Sequence, residues 1–494
     1  MKNPARVRFA PSPTGHMHLG SARTSLYDYL MAKQTGGQFI LRIEDTDKKR
    51  TVQGAEQELY DGLRWLGLQW DEGPEVGGDF GPYRQTERAE IYQKYARQLV
   101  ENGHAFYCFC SPERLKKVRE EQISKKENTH YDGFCRKIPL QEADVRINNG
   151  EPHVVRFKAP KEGVTRVVDE LRGELIVENR TLDDIILIKS DGLALYHLAA
   201  VIDDHLMKIT HVFRGSEWLP TFPLHALIHR AFGWEEPKWF HLSVFLKPSG
   251  KGKMSKREAA DLVKDGKSIF IKDLQELGYL PEAVNNWIAL MGWSYDDHTE
   301  VFSMDELIDK FSLMKLNPSP AAINFSKLDH FNGVYIRNLP VKELSLRLLP
   351  FFEAEGFTVN ISLLEKIAPI IQERLITLDD AIGLAGFFFE DKVDPNPNDL
   401  IAKKTSAGES LQIAKELLKI IETLPDSSKE TLEQPLRDLV ESTGFKAGQV
   451  FGILRVAVTG VNVSPPLFES LEIIGKKKVV ERVKNAIDLL EKMI

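Results

Sequence analysis

Two short stretches carry residues able to handle phosphate. The first, from Arg8 to Arg23, contains Ala10-Pro-Ser-Pro-Thr14-Gly15, then His16 and His18, then Gly20-Ser21. Imidazoles beside the first turn of a helix, where backbone N–H groups converge, can bind negative charge developing on a phosphate. The second, Gly250-Lys-Gly-Lys253-Met254-Ser255-Lys256-Arg257, offers ammonium groups from a glycine-flanked loop, which suits a polyphosphate leaving group. Each has a plainer reading, since a lone histidine is most often structural and a basic run most often a solvated loop. The first stretch is not a Walker loop, because no Gly-Lys-Ser/Thr follows its turn, and not a dinucleotide fingerprint, because the three-glycine spacing is missing.

The flanking elements predict where these groups sit. Val7-Arg8-Phe9 reads as the end of a buried strand, and Ala22, Leu26, Tyr29 and Leu30 have helical spacing. Phe39 to Ile43 reads as a second strand, ending in the acidic loop Glu44-Asp45-Thr46-Asp47. Helices are expected over about 53–66 and 87–101. Strands separated by helices imply a parallel sheet with ligands at the strand C-terminal ends, the edge both loops occupy. From 103 to 192 the texture changes to a charged helix, 111 to about 126, and short β-like runs, which reads as an inserted α+β module. Leu195-Tyr196-His197-Leu198, Ile209 to Phe213 and Phe240 to Leu246 read as a return of the parallel sheet, with a helix near 222–232. After Asp273 the chain reads as almost entirely helical, punctuated by prolines, with a hinge at Asp394 to Asn398.

Length and composition bound the rest. A chain of 494 residues exceeds one core and predicts roughly three to five domains. The hydrophobic share of 42% and charged share of 28% are those of an ordinary globular protein, and the net charge of -7 argues against non-specific coating of nucleic acid. Three cysteines make a disulfide framework improbable and point to a reducing compartment. The most apolar stretch, 381–389, falls far short of the ~20 residues that span a bilayer. With no signal core or transit segment before the first strand, the expectation is a cytoplasmic protein without a membrane span.

Together and in this order, the two phosphate-handling stretches resemble the signature motifs of class I aminoacyl-tRNA synthetases. His18-Leu19-Gly20-Ser21 stands where that class has His-Ile-Gly-His, and Lys253 to Arg257 matches Lys-Met-Ser-Lys-Ser with Arg at the end. Ala10 to Gly15, Arg42-Ile-Glu-Asp-Thr-Asp47 and Asp203-Asp204 narrow the resemblance to bacterial-type glutamyl-tRNA synthetases. Pro281-Glu-Ala-Val, Gly292-Trp293, Arg455 to Gly460 and Ser464 to Phe468 extend it over essentially the whole chain.

That resemblance implies a Rossmann-like α/β catalytic domain (1–102 and 193–246) interrupted by an α+β acceptor-stem insertion (103–192). A lysine-loop and stem-contact region (247–322) and two all-α anticodon-binding subdomains (323–392 and 393–494) would follow. It implies attachment of L-glutamate to tRNA(Glu) through glutamyl-adenylate, with ATP and Mg²⁺, by a monomer. Thr14, Gly15, His18, Gly20, Ser21, Glu217, Trp218 and Lys253, Met254, Ser255, Lys256 and Arg257 would serve ATP. Arg8, Ala10, Ser12, Glu44, Tyr196 and Arg214 would hold glutamate, Glu44 taking the α-ammonium. The alternative for Arg8 and Arg214 is a structural ion pair. A guanidinium fork suits a carboxylate and rejects an amide by roughly 10⁴-fold. Asp47 would lie near the tRNA end, and Arg374, Lys446 and Arg455 are candidate anticodon contacts.

Cys108-x-Cys110 and Cys135 reproduce three ligands of a zinc site found in some members of that family. The fourth, a histidine, is here Lys137, a poor Zn²⁺ ligand. His130 or Tyr131 could substitute, and three free buried thiols are the favoured expectation. Two rivals stand beside this reading. A truncated paralogue that glutamylates a modified base lacks an anticodon-binding region, whereas about 170 residues follow Asn324 here. A non-catalytic tRNA-binding relative would not need His18, Lys253, Lys256, Arg8, Glu44 and Arg214 together.

Overall fold

The computed structural model describes residues 4–47, 49–252, 262 and 266–494. They form two compact units, one running up to Gln275 together with Pro281–Phe325, the other made of Glu276–Leu280 and Ser326–Ile494.

The first unit carries β1 (Arg6–Phe9), α1 (Leu19–Thr35), β2 (Gln38–Leu41), α2 (Ala55–Trp65), α3 (Ala89–Glu101), β3 (Ala105–Cys108), α4 (Pro112–Ser124) and α5 (Leu140–Asn148). It continues through β4 (Val154–Phe157), β5 (Val164–Asp169), β6 (Gly173–Glu178), β7 (Ile186–Ile188), α6 (Tyr196–Leu206), β8 (His211–Gly215), α7 (Phe222–Phe232) and β9 (Lys238–Leu242). The main sheet has the order β2-β1-β8-β9-β5-β6. Every pair from β2 to β5 is parallel, and β6 returns antiparallel to β5. A separate antiparallel sheet joins β3, β4 and β7. Residues 103–192 therefore contribute to both sheets, with the β5–β6 hairpin extending the catalytic one.

Parallel strands buried on both faces need apolar runs, and β1, β2, β8 and β9 are almost wholly buried. Chain order reverses between β1 and β8, the place where an open α/β sheet leaves a crevice outside its strand C-termini. Helix α1 starts there. His18 caps it, its Nδ1 accepting from the Gly20 N–H at 3.0 Å and the Ser21 N–H at 3.3 Å. Gly20 is required for this, because a Cβ there would sit 2.9 Å from the His18 ring.

Two stretches depart from the sequence expectation. Phe245–Leu246 leaves the main sheet and pairs with Ala321–Ala322 in a separate two-stranded one. Leu195 to Leu198 does not enter the sheet; α6 begins at Tyr196 and buries Leu198 to Asp204. An apolar run buried all round lacks the periodicity that separates a short strand from a core helix. The second unit is helical, as expected. Its helix Ala407–Thr423 buries Ile413, Ala414, Leu417 and Ile421 as one stripe. Among the described residues, no helix is long and apolar enough to cross a membrane.

Candidate active site

The crevice at the β1–β8 switch point collects most of the expected residues. Arg8 is the penultimate residue of β1, Glu44 follows β2, Arg214 lies on β8, and Tyr196 is the first residue of α6. Ala10, Ser12, Thr14 and Gly15 line the β1–α1 turn, in which Ser12, Thr14 and Gly15 are exposed. The Glu44 N–H bonds to the Pro11 carbonyl at 2.9 Å, tying the acidic loop to that turn. Glu217 and Trp218 occupy the short 3-10 helix Ser216–Thr221 after β8. The Trp218 ring lies 4.2 Å from that of Tyr196. Gly215 makes room for this turn, since a Cβ on it would overlap the Glu217 carboxylate.

The two histidines of the turn separate. His18 caps α1 through Nδ1, so a neutral ring carries its proton on Nε2. His16 is exposed and pairs with Glu58 at 2.8 Å, away from the cap. Arg23 on α1 donates to the carbonyls of Met291, at 2.8 Å, and Ser243, and lies over the Phe245 ring at 4.0 Å. It anchors the segment that leads into the lysine loop. Lys253, Met254, Ser255, Lys256 and Arg257 themselves lie outside the described residues.

Charge in the crevice is organised in two ways. Arg8 is in the ion pair that was its alternative reading, donating from Nε to Asp204 at 2.9 Å and from Nη1 to the Phe213 carbonyl at 3.3 Å. Arg42 reaches Asp204 at 2.7 Å and Glu44 at 3.1 Å. Arg88 pairs with Asp203 at 2.7 Å, and Gln85 and Tyr92 donate to the same carboxylate at 3.0 and 2.8 Å. All six charged groups are buried. Burial pushes Asp204 up, but Arg8 and Arg42 outweigh it and hold the carboxyl below its ordinary value. Burial raises Glu44 to about 7, with Arg42 and Arg8 opposing.

Arg214 has no ion pair among the described residues. Its Nε donates to His241 Nε2 at 2.9 Å, and its Nη1 meets His225 Nδ1 at 3.1 Å and the Tyr196 hydroxyl at 3.5 Å. Its Nη2 is buried without a hydrogen-bond partner among the described residues. Behind it, His241 Nδ1 lies 2.7 Å from Asp169 and His225 Nε2 lies 2.9 Å from His197 Nδ1. These four supporting residues were not singled out in the sequence. The available signal was a histidine inside an apolar strand, His241, which stands in register opposite Arg214.

The cysteine cluster belongs to the smaller sheet and not to this crevice. Sγ atoms of Cys108, Cys110 and Cys135 lie within 4.8 Å of one another. The Tyr131 hydroxyl lies 3.4 Å from Cys108 Sγ and 3.6 Å from Cys110 Sγ. Lys137 is exposed, and His130 Nδ1 turns to the Asn128 carbonyl. Hydrogen bonds from Cys135 and Tyr131 hold the Cys108 thiol well below its ordinary value despite burial. The three sulfurs are close enough to share a metal ion, but Tyr131 is a poor fourth ligand: its hydroxyl accepts the Cys135 N–H at 2.8 Å, and burial holds it above its ordinary value.

Asp47 is partly exposed and pairs with Arg50 at 2.6 Å. In the second unit, Arg374 donates to the Ser464 carbonyl at 2.6 Å and Arg455 to the same carbonyl at 3.2 Å. Lys446 stands at the N-terminus of the helix Ala447–Thr459.

A parallel sheet with a histidine-capped helix at its switch point and a carboxylate–guanidinium crevice beside it is the architecture of a nucleotide-activating class I synthetase. Accordingly, the family described as tRNA synthetases class I (E and Q), catalytic domain, matches residues 4–330, and the anticodon binding domain family matches 343–487. A glutamate–tRNA ligase of Dehalococcoides mccartyi is 43% identical over 498 aligned positions covering 100% of both chains. One from Borreliella burgdorferi is 44% identical, covering 98% of this chain and 99% of its own. The crystal structure of a glutamate tRNA ligase from Elizabethkingia meningosepticum, in complex with its amino acid, superposes with a TM-score of 0.88. It is 36% identical and covers 98% of this chain and 99% of that one. The chain belongs to the glutamate–tRNA ligase family of class I tRNA synthetases.

Proposed function

We propose that the chain is an ATP-dependent ligase that attaches L-glutamate to the 3′ end of tRNA(Glu) in two steps, acting as a cytoplasmic monomer. An α-carboxylate oxygen of glutamate attacks the α-phosphorus of Mg²⁺-bound ATP, and pyrophosphate leaves. A hydroxyl of the terminal adenosine then attacks the acyl carbon of glutamyl-adenylate, and AMP leaves. The nucleophile of the first step is already ionised, so catalysis is positioning plus electrostatic stabilisation.

The observation that carries this reading is the pairing of an acidic and a basic anchor in one crevice. Arg214 presents an Nη2 without a partner among the described residues for the side-chain carboxylate, and Glu44, which like Arg214 acts electrostatically on Tyr196, would take the α-ammonium. Arg8 then shapes the site through Asp204, with Ala10, Ser12 and Tyr196 completing the amino-acid side. Thr14, Gly15, His18, Gly20 and Ser21 at the start of α1, with Glu217 and Trp218, form the nucleotide side. Lys253 and Lys256, with Met254, Ser255 and Arg257, would close on the pyrophosphate. Asp47 would border the tRNA end, and Arg374, Lys446 and Arg455 would meet the anticodon arm. The domain boundaries given above are part of this proposal, with the β5–β6 hairpin of the 103–192 segment joined to the catalytic sheet, as are free thiols at Cys108, Cys110 and Cys135. A metal-free purified chain supports the free thiols; near-stoichiometric zinc contradicts them.

The decisive assay is transfer of labelled glutamate to tRNA with ATP and Mg²⁺. A labelled tRNA(Glu) supports the proposal, and no product with tRNA(Glu) or tRNA(Gln) refutes it. Lys256→Ala should slow adenylate formation severely while leaving tRNA binding intact. Equal loss of both would make the lysine structural.

A further inference from the structure

Arg214 differs from every other arginine of the crevice in what holds it. Its Nε–H and Nη1–H can only donate, so the ring atoms facing them, His241 Nε2 and His225 Nδ1, must be lone pairs. This settles the tautomers outward. His241 carries its proton on Nδ1 and donates it to Asp169, and His225 carries its proton on Nε2 and donates it to His197 Nδ1. Asp169 is itself fixed, accepting the backbone N–H groups of Leu171 and Arg172 on one oxygen and that of His241 on the other. The guanidinium also packs over Trp239, 4.8 Å from the ring centroid. Asp169, His225, Arg214 and His241 are all buried.

Protonating either facing imidazole would press a second cation against the guanidinium. Burial and the Arg214 charge both drive His225 well below its ordinary pKa, and burial lowers His241 even against Asp169. Two neutral acceptors thus orient a buried cation without cancelling its charge, and leave the edge bearing Nη2 without a partner among the described residues.

We infer that His241 and His225, with the His241 tautomer set by Asp169, are positioning residues that hold Arg214 as an uncompensated cation for the side-chain carboxylate of the amino-acid substrate. The inference rests on the proposed glutamate-binding role of Arg214. It places a determinant of amino-acid recognition on β5, the hairpin strand that the 103–192 segment contributes to the catalytic sheet.

Asp169→Asn is the sharpest probe, because it keeps the shape of the turn. The Asn carbonyl oxygen stays on the Leu171 and Arg172 N–H groups, so its amide faces the His241 ring and also opposes the His241 backbone N–H. The imidazole then flips its proton to Nε2 and confronts the Arg214 Nε–H with a donor. His241→Gln provides the complement, since its side-chain oxygen can accept from Arg214 with no need of Asp169.

The experiment is tRNA(Glu) aminoacylation by the full chain with glutamate and ATP varied separately. Asp169→Asn should raise the KM for glutamate about 10- to 100-fold while leaving the KM for ATP at its wild-type value. In the His241→Gln background the same substitution should raise the glutamate KM far less, because the tautomer is gone and only the clash with the residue-241 backbone N–H remains. His225→Phe, which leaves the β5 turn untouched, should also raise the glutamate KM selectively and carries the test if Asp169→Asn does not fold. An unchanged glutamate KM, equal losses for glutamate and ATP, or full additivity in the His241→Gln background overturns the inference and leaves the proposed function standing. A wild-type chain that charges no tRNA with glutamate overturns both.

Discussion

Two groups of buried arginine share one crevice and are built on opposite electrostatic plans. Around β1 and β2, Arg8, Arg42 and Arg88 are met by Asp203, Asp204 and Glu44, so charge is cancelled almost within hydrogen-bond distance. On β8, Arg214 is as deeply buried but is oriented by neutral histidines. The first arrangement holds the sheet, α3 and α6 together and has little charge left for a ligand. The second is poor scaffolding, because an unpaired buried charge costs desolvation, and for that reason it is a good receptor for an anion.

The comparison breaks most visibly if a balanced carboxylate is removed. Asp203→Ala strips partners from Arg88, Gln85 and Tyr92 at once, and should cost about 3–5 kcal/mol in denaturant unfolding. A loss below about 1 kcal/mol would show that the cluster does not hold the fold.

Glu44 belongs to both plans, and its pH dependence sharpens the boundary. Its folded-state value of about 7 lies above the ordinary 4.5. Its contribution to stability is therefore full below about 4.5 and is lost as pH rises through about 7. Glutamate binding runs the other way, since only the carboxylate pairs with an ammonium. The kcat/KM for glutamate should fall about tenfold per pH unit below 7, at constant ATP dependence, while Glu44→Gln is weak and flat in pH. A wild-type profile level from pH 8 to 6 would remove Glu44 from that role.

The smallest effect concerns Asp28 on α1, buried with neither oxygen hydrogen-bonded among the described residues. Burial pushes its carboxyl well above the ordinary range although Arg8 opposes it. Its stabilising contribution is full below the ordinary carboxylate value and declines as pH rises toward the folded value. Asp28→Asn should stabilise the chain by about 1 kcal/mol at pH 8, with little gain near pH 4. Destabilisation at pH 8 would show that Asp28 is paired in solution.

Much of this architecture was legible in local pattern. The turn between β1 and α1, the acidic loop after β2, β8 and the helical second unit all follow from periodicity and punctuation along the chain. The α6 segment was misread because a helix buried on every side loses its amphipathic signature. The support of Arg214 was not legible for a different reason: Asp169, His225 and His241 come from three elements, and strand register and packing bring them together. Arg8 shows the converse limit, since the sequence offered both an ion pair and a substrate contact, and the partner of the pair, Asp204, comes from a distant helix that only packing brings to it. Tyr131 illustrates the same point, as it stands beside His130 in the chain yet it alone turns toward the sulfurs.

Thermal unfolding of wild type and Arg214→Met, each with and without saturating L-glutamate, tests the contrast between the two arginine groups most directly. An uncompensated receptor predicts an apo variant within about 3 °C of wild type, together with complete loss of the stabilisation that glutamate gives the wild type. A variant that unfolds as early as Asp203→Ala, or one that glutamate still stabilises, would place Arg214 in the scaffold instead.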